Sequence, residues 1–182
     1  AVRMAALMEV PVKFIWTHDA FRVGEDGPTH EPVEQEAQIR LMEKLKNHHG
    51  KNSMLVVRPA DADETTACWK LAMENTNTPT GLILSRQGIT KLPAGNDYSE
   101  SAKGAYIVAG SDEKFDVILL ASGSEVSTLE AGAALLREDG IKLRIVSVPS
   151  EGLFRSQSKE YQESILPKGS KIFGMTAGLP VN

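Results

Sequence analysis

Apolar and polar residues alternate in blocks along the first half of the chain, and these blocks predict strands separated by helices. Short apolar runs at 12–17, 53–58 and 80–85 are typical of buried strands. Between the first two runs, apolar residues recur at helical spacing and predict a helix over about 32–46. This half of the chain therefore has the strand–helix–strand order of an α/β protein.

A second helix is predicted to begin at Asp61. The carboxylate of Asp61 suits the N-cap position, and Glu64 three residues later completes a capping box. Cys68 and Ala72 then contribute to an apolar face. Because this helix also lies between two predicted strands, the strands are expected to form a parallel sheet.

Residues 88–103 interrupt the pattern with glycine, proline, serine and asparagine and show little periodicity, which is typical of a linker. A second series of elements is predicted beyond them, with an irregular stretch after residue 148. Its strands are 105–108, 115–121, 142–148 and 171–175, and its helices are about 124–138 and 158–165. We therefore expect two α/β units with mainly parallel sheets, at 1–90 and 104–182, joined by a linker at 91–103.

Composition and charge narrow the class of protein. The chain has 182 residues, 41% of them hydrophobic, which is typical of a globular protein. Its net charge of -4, without a lysine- or arginine-rich block, argues against a nucleic-acid partner, and no apolar run is long enough to predict a membrane span. A single cysteine excludes an internal disulfide framework and favours a reducing compartment, so we expect a cytoplasmic location.

The segment 17–32 concentrates polar side chains between a predicted strand and a predicted helix. It contains His18, Asp26 and His30, and Gly27 allows the backbone to adopt a positive φ. Histidine donates hydrogen bonds to hydroxyls or phosphates and titrates near neutral pH, whereas an ionised Asp26 accepts from hydroxyls. Because ligands usually bind at the carboxyl ends of strands in α/β sheets, this segment is a candidate substrate site.

Two other interpretations of the same residues remain open from chemistry alone. Asp26 and Gly27 are also typical of a surface turn, in which case the segment is structural. Histidine and aspartate are also common metal ligands, so His18, Asp26 and His30 are compatible with a metal site.

Two further positions follow predicted strands. Arg86 comes directly after the strand that ends at Ser85, and its guanidinium fits a phosphate with two hydrogen bonds, although a lone arginine is more often paired with a surface acid. The stretch 123–126 joins a strand to a helix, where free amides can bind an anion. Glu125 would repel phosphate, so a tight turn with Ser124 as a capping residue is favoured there. Arg58, at another strand end, is interpreted as structural.

Segment 17–32 also resembles a family signature, T-H-D-(S/A)-x-x-x-G-E-D-G-P-T-H-x-P, of the transketolases. These thiamine-diphosphate enzymes transfer two-carbon ketol units between sugar phosphates. Further similarities follow in the family's order and together span nearly the whole chain: Arg58–Asp61 with Trp69, Ser85–Gln87, Gly123–Val126 and Arg144–Ser150. The resemblance implies that the first unit is the C-terminal part of a pyrimidine-binding domain and the second is most of a transketolase C-terminal domain.

The resemblance also implies a function and a set of site residues. It implies reversible ketol transfer in the pentose phosphate pathway, with sugar phosphates as substrates and a second subunit as partner in a homodimer. His18 and Arg86 are expected to contact the sugar phosphate, and Asp26 to hold the hydroxyl beside the reacting carbon. His30 is expected to act catalytically near the donor hydroxyl and the aminopyrimidine. The alternatives are a dihydroxyacetone synthase, a deoxyxylulose-phosphate synthase or a non-catalytic assembly module.

Parts that the family needs for its cofactor do not occur in this sequence. The G-D-G…N motif that holds the metal and pyrophosphate is missing. The activating glutamate and the aromatics that stack on the cofactor would precede Ala1, and 1–7 reads as the middle of a helix. We therefore expect a fragment that is inactive alone, has no metal ligands of its own and binds no cofactor, whereas the full-length enzyme would use thiamine diphosphate with Mg²⁺ or Ca²⁺.

Overall fold

The computed structural model describes residues 1–19, 27, 30, 33–93, 95–110 and 114–179. The first unit contains α1 (Val2–Leu7), β1 (Lys13–Trp16), α2 (Gln35–Lys44), β2 (Leu55–Val57), α3 (Ala62–Glu74) and β3 (Thr80–Ile83). A 3-10 helix (Tyr98–Lys103) follows. The second unit contains β4 (Tyr106–Gly110), β5 (Val117–Ala121), α4 (Glu125–Glu138), β6 (Leu143–Ser147), α5 (Glu151–Arg155), α6 (Lys159–Ile165) and β7 (Ile172–Met175).

The first sheet has the strand order β1-β3-β2, and both pairings are parallel. The central strand, β3, is buried along its whole length, as its apolar sequence predicts. At its second position Gly81 is required by packing, because a Cβ there would lie 2.7 Å from the Trp16 ring and 2.9 Å from Met54. Strand β3 can therefore lie tightly between its two neighbours.

Helix α3 begins as the sequence predicts. Asp61 is the N-cap, and its Oδ1 accepts a hydrogen bond from the Glu64 amide at 2.8 Å. The side chain of Glu64 does not return to the Asp61 amide but accepts from the amide of Ala60. Asp61 Oδ2 accepts from the Leu92 amide at 3.0 Å and from the Tyr98 hydroxyl at 2.8 Å, so the cap also fixes the predicted linker.

The second sheet has the strand order β4-β6-β5-β7. Strands β6, β5 and β7 are parallel, and β4 is antiparallel to β6. Two α/β units with mainly parallel sheets are therefore confirmed. The stretch predicted to be irregular contains α5, which is only five residues long and begins where Ser150 Oγ accepts from the Leu153 amide at 3.4 Å.

Buried polar contacts join the two units. Glu64 Oε1 on α3 accepts hydrogen bonds from the Tyr106 hydroxyl at 2.7 Å and from Ser147 Oγ at 2.8 Å, both in the second sheet. Glu43 Oε1 on α2 accepts from the Val56 amide at 3.0 Å and from Ser150 Oγ at 3.1 Å. The units thus share an interface that contains carboxylates, although the division at 91–103 itself stays a prediction.

Candidate functional site

The carboxyl ends of β1 and β3 stay paired beyond the last residues of the strands. The Leu84 amide donates to the Trp16 carbonyl at 2.7 Å, and the Asp19 amide donates to the Leu84 carbonyl at 3.1 Å. The two segments that follow, 17–19 and 84–86, therefore leave the sheet side by side. His18 and Arg86 both emerge from this edge, and both residues are exposed.

His18 has an unusual backbone conformation. Its φ is 67°, in the left-handed region that L-residues seldom adopt. Its Nδ1 lies 2.9 Å from Thr17 Oγ1, so the hydroxyl fixes one side of the ring. A non-glycine residue stays in this region only when its neighbours hold it there, and such residues cluster at binding sites.

The other two predicted site residues lie on the loop that follows. His30 is exposed, and its amide donates to the Gly27 carbonyl at 3.1 Å, while Gly27 has the expected positive φ of 72°. Asp26 lies outside the described residues. The structure thus brings His18 and Arg86 to one edge, and the convergence of Asp26 and His30 on them stays a prediction.

Directly beside this edge lies a buried ion-pair cluster, which we define as Asp19, Arg58, Glu36 and Glu125. The guanidinium of Arg58 donates two hydrogen bonds to the carboxylate of Glu125, from Nη2 to Oε2 at 2.6 Å and from Nη1 to Oε1 at 3.0 Å. Its Nη2 also donates to Asp19 Oδ2 at 2.8 Å, and Glu36 Oε2 lies 3.7 Å from its Nε. The Arg58 side chain is only 1% exposed, so this cation is held entirely by protein groups.

The electrostatics of the cluster follow from three carboxylates around one cation. Burial alone lowers the pKa of Arg58, but Glu36, Glu125 and Asp19 outweigh it and raise the pKa above its ordinary value. Burial likewise tends to raise the pKa of Glu36, but Arg40 and Arg58 lower it below its ordinary 4.5. Arg58 and Glu36 are therefore both charged at neutral pH, and the hydrogen bonds from Arg58 to Glu125 and Asp19 complete a buried ion-pair network.

The prediction that Ser124 caps α4 is confirmed for its position and wrong for its side chain. Ser124 is the N-cap residue of α4, but its side chain makes no capping hydrogen bond. Its Oγ donates toward Asp19 Oδ2 at 3.2 Å and lies 3.1 Å from Glu125 Oε2. The Ser124 hydroxyl instead donates its proton within the ion-pair cluster, to an acceptor that carries charge.

Sequence reasoning missed Asp19 and Glu125 as functional candidates, and it assigned Arg58 only a structural role. A usable signal was present: Arg58 directly follows β2, and Asp19 and Glu125 come three and four residues after the ends of β1 and β5. Charged residues that are buried at such positions are almost always paired. The sequence does not show that these three strand ends, from two units, meet at one point.

A cavity of about 470 Å³ lies between α2 and the carboxyl edge of the second sheet, and Glu36 of the ion-pair cluster contributes to its lining. Its two arginines are paired with acids, since Arg40 Nε donates to Glu36 at 2.8 Å and Arg155 Nη2 donates to Glu151 at 3.1 Å, while Arg40 Nη1 is buried without a hydrogen-bond partner among the described residues. His18, His30 and Arg86 do not line it. The β1–β3 edge therefore remains the candidate site for a phosphorylated ligand.

Two models of known protein families match this chain. Residues 1–91 match the transketolase pyrimidine-binding domain, and residues 104–182 match the transketolase-like C-terminal domain. The chain belongs to the transketolase family. The family resemblance expected from its motifs is thereby confirmed.

Individual transketolases are similar over almost the whole of this chain. The transketolase of Halalkalibacterium halodurans is 47% identical over 169 residues, covering 92% of this chain but 24% of the relative. A transketolase variant from Pichia stipitis, solved in complex with xylulose 5-phosphate, is 39% identical with a TM-score of 0.86 and covers 100% of this chain and 25% of its own. A split-gene transketolase described as an inactive β4 tetramer is 28% identical with a TM-score of 0.57, covering 76% of this chain and 40% of its own. This chain thus spans about a quarter of the length of the curated transketolases that it matches.

Thiamine diphosphate is the cofactor of the transketolase family, and from the family resemblance we expect a divalent metal to hold its pyrophosphate. Within the described ranges, no three His, Cys, Asp or Glu side chains come together as metal ligands. The carboxylates that do cluster, Asp19, Glu36 and Glu125, surround the cation of Arg58 and are buried. The described part of this transketolase-family chain therefore does not fit the metal–pyrophosphate end of the cofactor.

No helix among the described residues is long and apolar enough to span a membrane.

Proposed function

We propose that this chain supplies substrate-recognition residues of a transketolase, which reversibly transfers a two-carbon ketol unit from a ketose phosphate to an aldose phosphate. The observation that supports this most is the paired exit of 17–19 and 84–86 from neighbouring parallel strands. This arrangement offers an imidazole and a guanidinium at one exposed edge of the sheet. Such an edge is where α/β proteins bind ligands.

Each site residue has a proposed role that follows from its chemistry. Arg86 binds the sugar phosphate through its forked donors, and His18 adds a further donor. Asp26 accepts from the hydroxyl beside the reacting carbon. His30 is the catalytic residue and exchanges a proton with the donor hydroxyl. We propose these roles from the family motifs.

The cofactor and assembly belong to the longer protein. We infer that thiamine diphosphate, with Mg²⁺ or Ca²⁺, supplies the carbanion chemistry there, in a cytoplasmic homodimer of the pentose phosphate pathway. The 182-residue chain by itself is proposed to be inactive. The related split-gene transketolase, whose tetramer is described as inactive, supports this view.

Donor and acceptor assays on a longer version of the protein test the reaction. Fructose 6-phosphate, sedoheptulose 7-phosphate and xylulose 5-phosphate are suitable donors, because transketolases from Pichia stipitis were solved with these sugars. We expect ketol transfer from them to aldose phosphates. Transfer to formaldehyde alone would favour a dihydroxyacetone synthase, and condensation from pyruvate would favour a deoxyxylulose-phosphate synthase. No transfer with any pair would favour a non-catalytic module.

Titration calorimetry of the 182-residue chain tests its proposed inactivity. The chain is titrated with thiamine diphosphate and Mg²⁺, and ketol transfer is assayed in parallel. We expect no binding in the micromolar range and no transfer. Micromolar binding or measurable ketol transfer would contradict the proposal that the main cofactor contacts lie outside this chain.

A further inference from the structure

The conformation of His18 needs an explanation from its surroundings. Its φ of 67° lies in the left-handed region, yet the residue is exposed, so apolar packing of its ring does not hold it there. Its contact with Thr17, the preceding residue, is local. Among the described residues, the remaining constraint on His18 comes from Asp19, the next residue in the chain.

Asp19, the next residue, is held at both its backbone and its side chain. Its amide donates to the Leu84 carbonyl at 3.1 Å. Its Oδ2 accepts from Arg58 Nη2 at 2.8 Å and from Ser124 Oγ at 3.2 Å, and the side chain is 1% exposed. The contacts of Asp19 thus hold the peptide group between His18 and Asp19 in place.

The groups that hold Asp19 are fixed in turn by the second unit. Glu125, which is fully buried, grips both terminal nitrogens of Arg58. Its Oε1 also accepts from the Ala177 amide at 2.9 Å, so the carboxylate is anchored to the segment after β7. A continuous series of contacts therefore runs from Glu125 through Arg58 and Asp19 to His18.

We propose that Glu125 and Ser124 of the second unit are positioning residues for His18, which they hold in its left-handed conformation through Arg58 and Asp19. The second unit thereby sets the geometry of the substrate-binding edge without contacting substrate. The link to substrate rests on the proposed function, but the link to the conformation of His18 does not. The cluster includes Asp19, which is the residue next to His18, so it can restrain His18 as well as join the two units.

Nuclear magnetic resonance on the 182-residue chain tests this series of contacts. Glu125→Gln keeps the shape of the side chain but presents an amide to Arg58. Glu130→Gln makes the same change on the same helix, where Glu130 pairs with Arg137 at the surface. The readout is the exchange rate of the Asp19 amide relative to that of Ile145 in β6, together with the backbone shifts of His18. We expect Glu125→Gln to raise the relative exchange of Asp19 by about tenfold or more, and Glu130→Gln to leave it within about twofold.

Leu143→Ala controls for a general loss of stability. Leu143 is buried in the second sheet away from the cluster, so its truncation should raise both exchange rates together. Unchanged Asp19 exchange and His18 shifts in Glu125→Gln would overturn the proposal. An equal change of the ratio in Leu143→Ala would overturn it as well. If Glu125→Gln does not fold, Ser124→Ala removes the other donor to Asp19, and an unchanged ratio there would also overturn it.

Titration with inorganic phosphate separates this proposal from the proposed function. Phosphate-dependent shifts of His18 and Arg86 in the unsubstituted chain test whether this edge binds the anion. A chain that binds no phosphate but shows the expected exchange in Glu125→Gln would weaken the substrate assignment and support the positioning role. Phosphate binding that is equal in both chains, with unchanged exchange, would support the substrate assignment and overturn the positioning role.

Discussion

Gly123 lies directly against the ion-pair cluster, which makes Gly123→Ala a sharp test of how rigidly Arg58 is held. The φ of Gly123 is 63°, and its amide donates to the Arg58 carbonyl at 3.1 Å. A Cβ at this position would lie 2.7 Å from Arg58 Cγ and Nε and 2.8 Å from Cζ. Because carbon atoms pack at about 3.5–4.0 Å, the arginine must move by roughly 1 Å.

The magnitude follows from two contributions. An alanine in the left-handed region costs roughly 1 kcal/mol relative to glycine. Displacing Arg58 stretches its short hydrogen bonds to Glu125 and Asp19, and breaking a buried ion pair outright costs about 3–5 kcal/mol. We therefore expect Gly123→Ala to lower the free energy of unfolding by about 2–5 kcal/mol, which is roughly 4–20 °C in Tm for a chain of this length.

Gly140→Ala is the matched control. Gly140 also has a positive φ, 78°, but within the described part of the chain no atom beyond its own neighbours in sequence lies within 4 Å of a Cβ there. Only the backbone contribution of about 1 kcal/mol therefore remains. Urea and thermal unfolding of both variants, followed by circular dichroism, give the difference. If the two variants lose the same free energy of unfolding to within about 0.5 kcal/mol, Arg58 moves aside at no cost in stability, and the cluster is not rigid.

Three further predictions concern the other polar networks and the candidate site. Burial raises the pKa of Glu64 above its ordinary 4.5, despite hydrogen bonds from Tyr106 and neighbours that lower it. A raised pKa means that the native state binds the proton more tightly, so stability relative to Glu64→Gln should fall as pH rises from about 4.5 through the raised pKa. The free energy of unfolding of both chains is measured by urea unfolding at several pH values. A difference between them that stays constant with pH would contradict this prediction. Asp61→Ala should lower the free energy of unfolding by about 2–4 kcal/mol, because it removes a helix cap and two contacts to the linker. Asp97→Ala removes only an exposed cap and should cost clearly less; equal urea midpoints for the two variants would show that the linker contacts contribute nothing. In the longer protein, Arg86→Ala should raise KM for phosphorylated sugars by about one to two decades and spare short unphosphorylated ones, and equal steady-state losses for both substrate types would remove the phosphate role.

The periodic parts of the fold were predictable because local sequence determines them. Helix α3 begins at Asp61 as expected, since the N-cap hydrogen bond to Glu64 is formed within four residues. The 3-10 helix at Tyr98–Lys103 was not predicted, since its order depends on the Tyr98 contact with Asp61, far away in sequence. Local polarity alone therefore indicated a loose linker there.

The candidate site was predictable to a smaller extent. His18 and Arg86 were placed at strand ends from local patterns, and the parallel pairing of β1 with β3 brings those ends to one edge. Their convergence with Asp26 and His30 stays a prediction. The ion-pair cluster behind them was not predicted, because Asp19 and Ser124 lie 105 positions apart in the sequence and come together only through the packing of the two units.

The carboxylates shared between the two units determine how the chain can be divided. Glu43, Glu64 and Glu125 each find hydrogen-bond partners in the opposite unit. If the chain were cut within 91–103, the separated halves would expose these groups and lose their partners, and Arg58 would lose its bidentate acceptor. The sequence boundary between the units is therefore a poor place for dissection, and the two halves should unfold together in one cooperative transition.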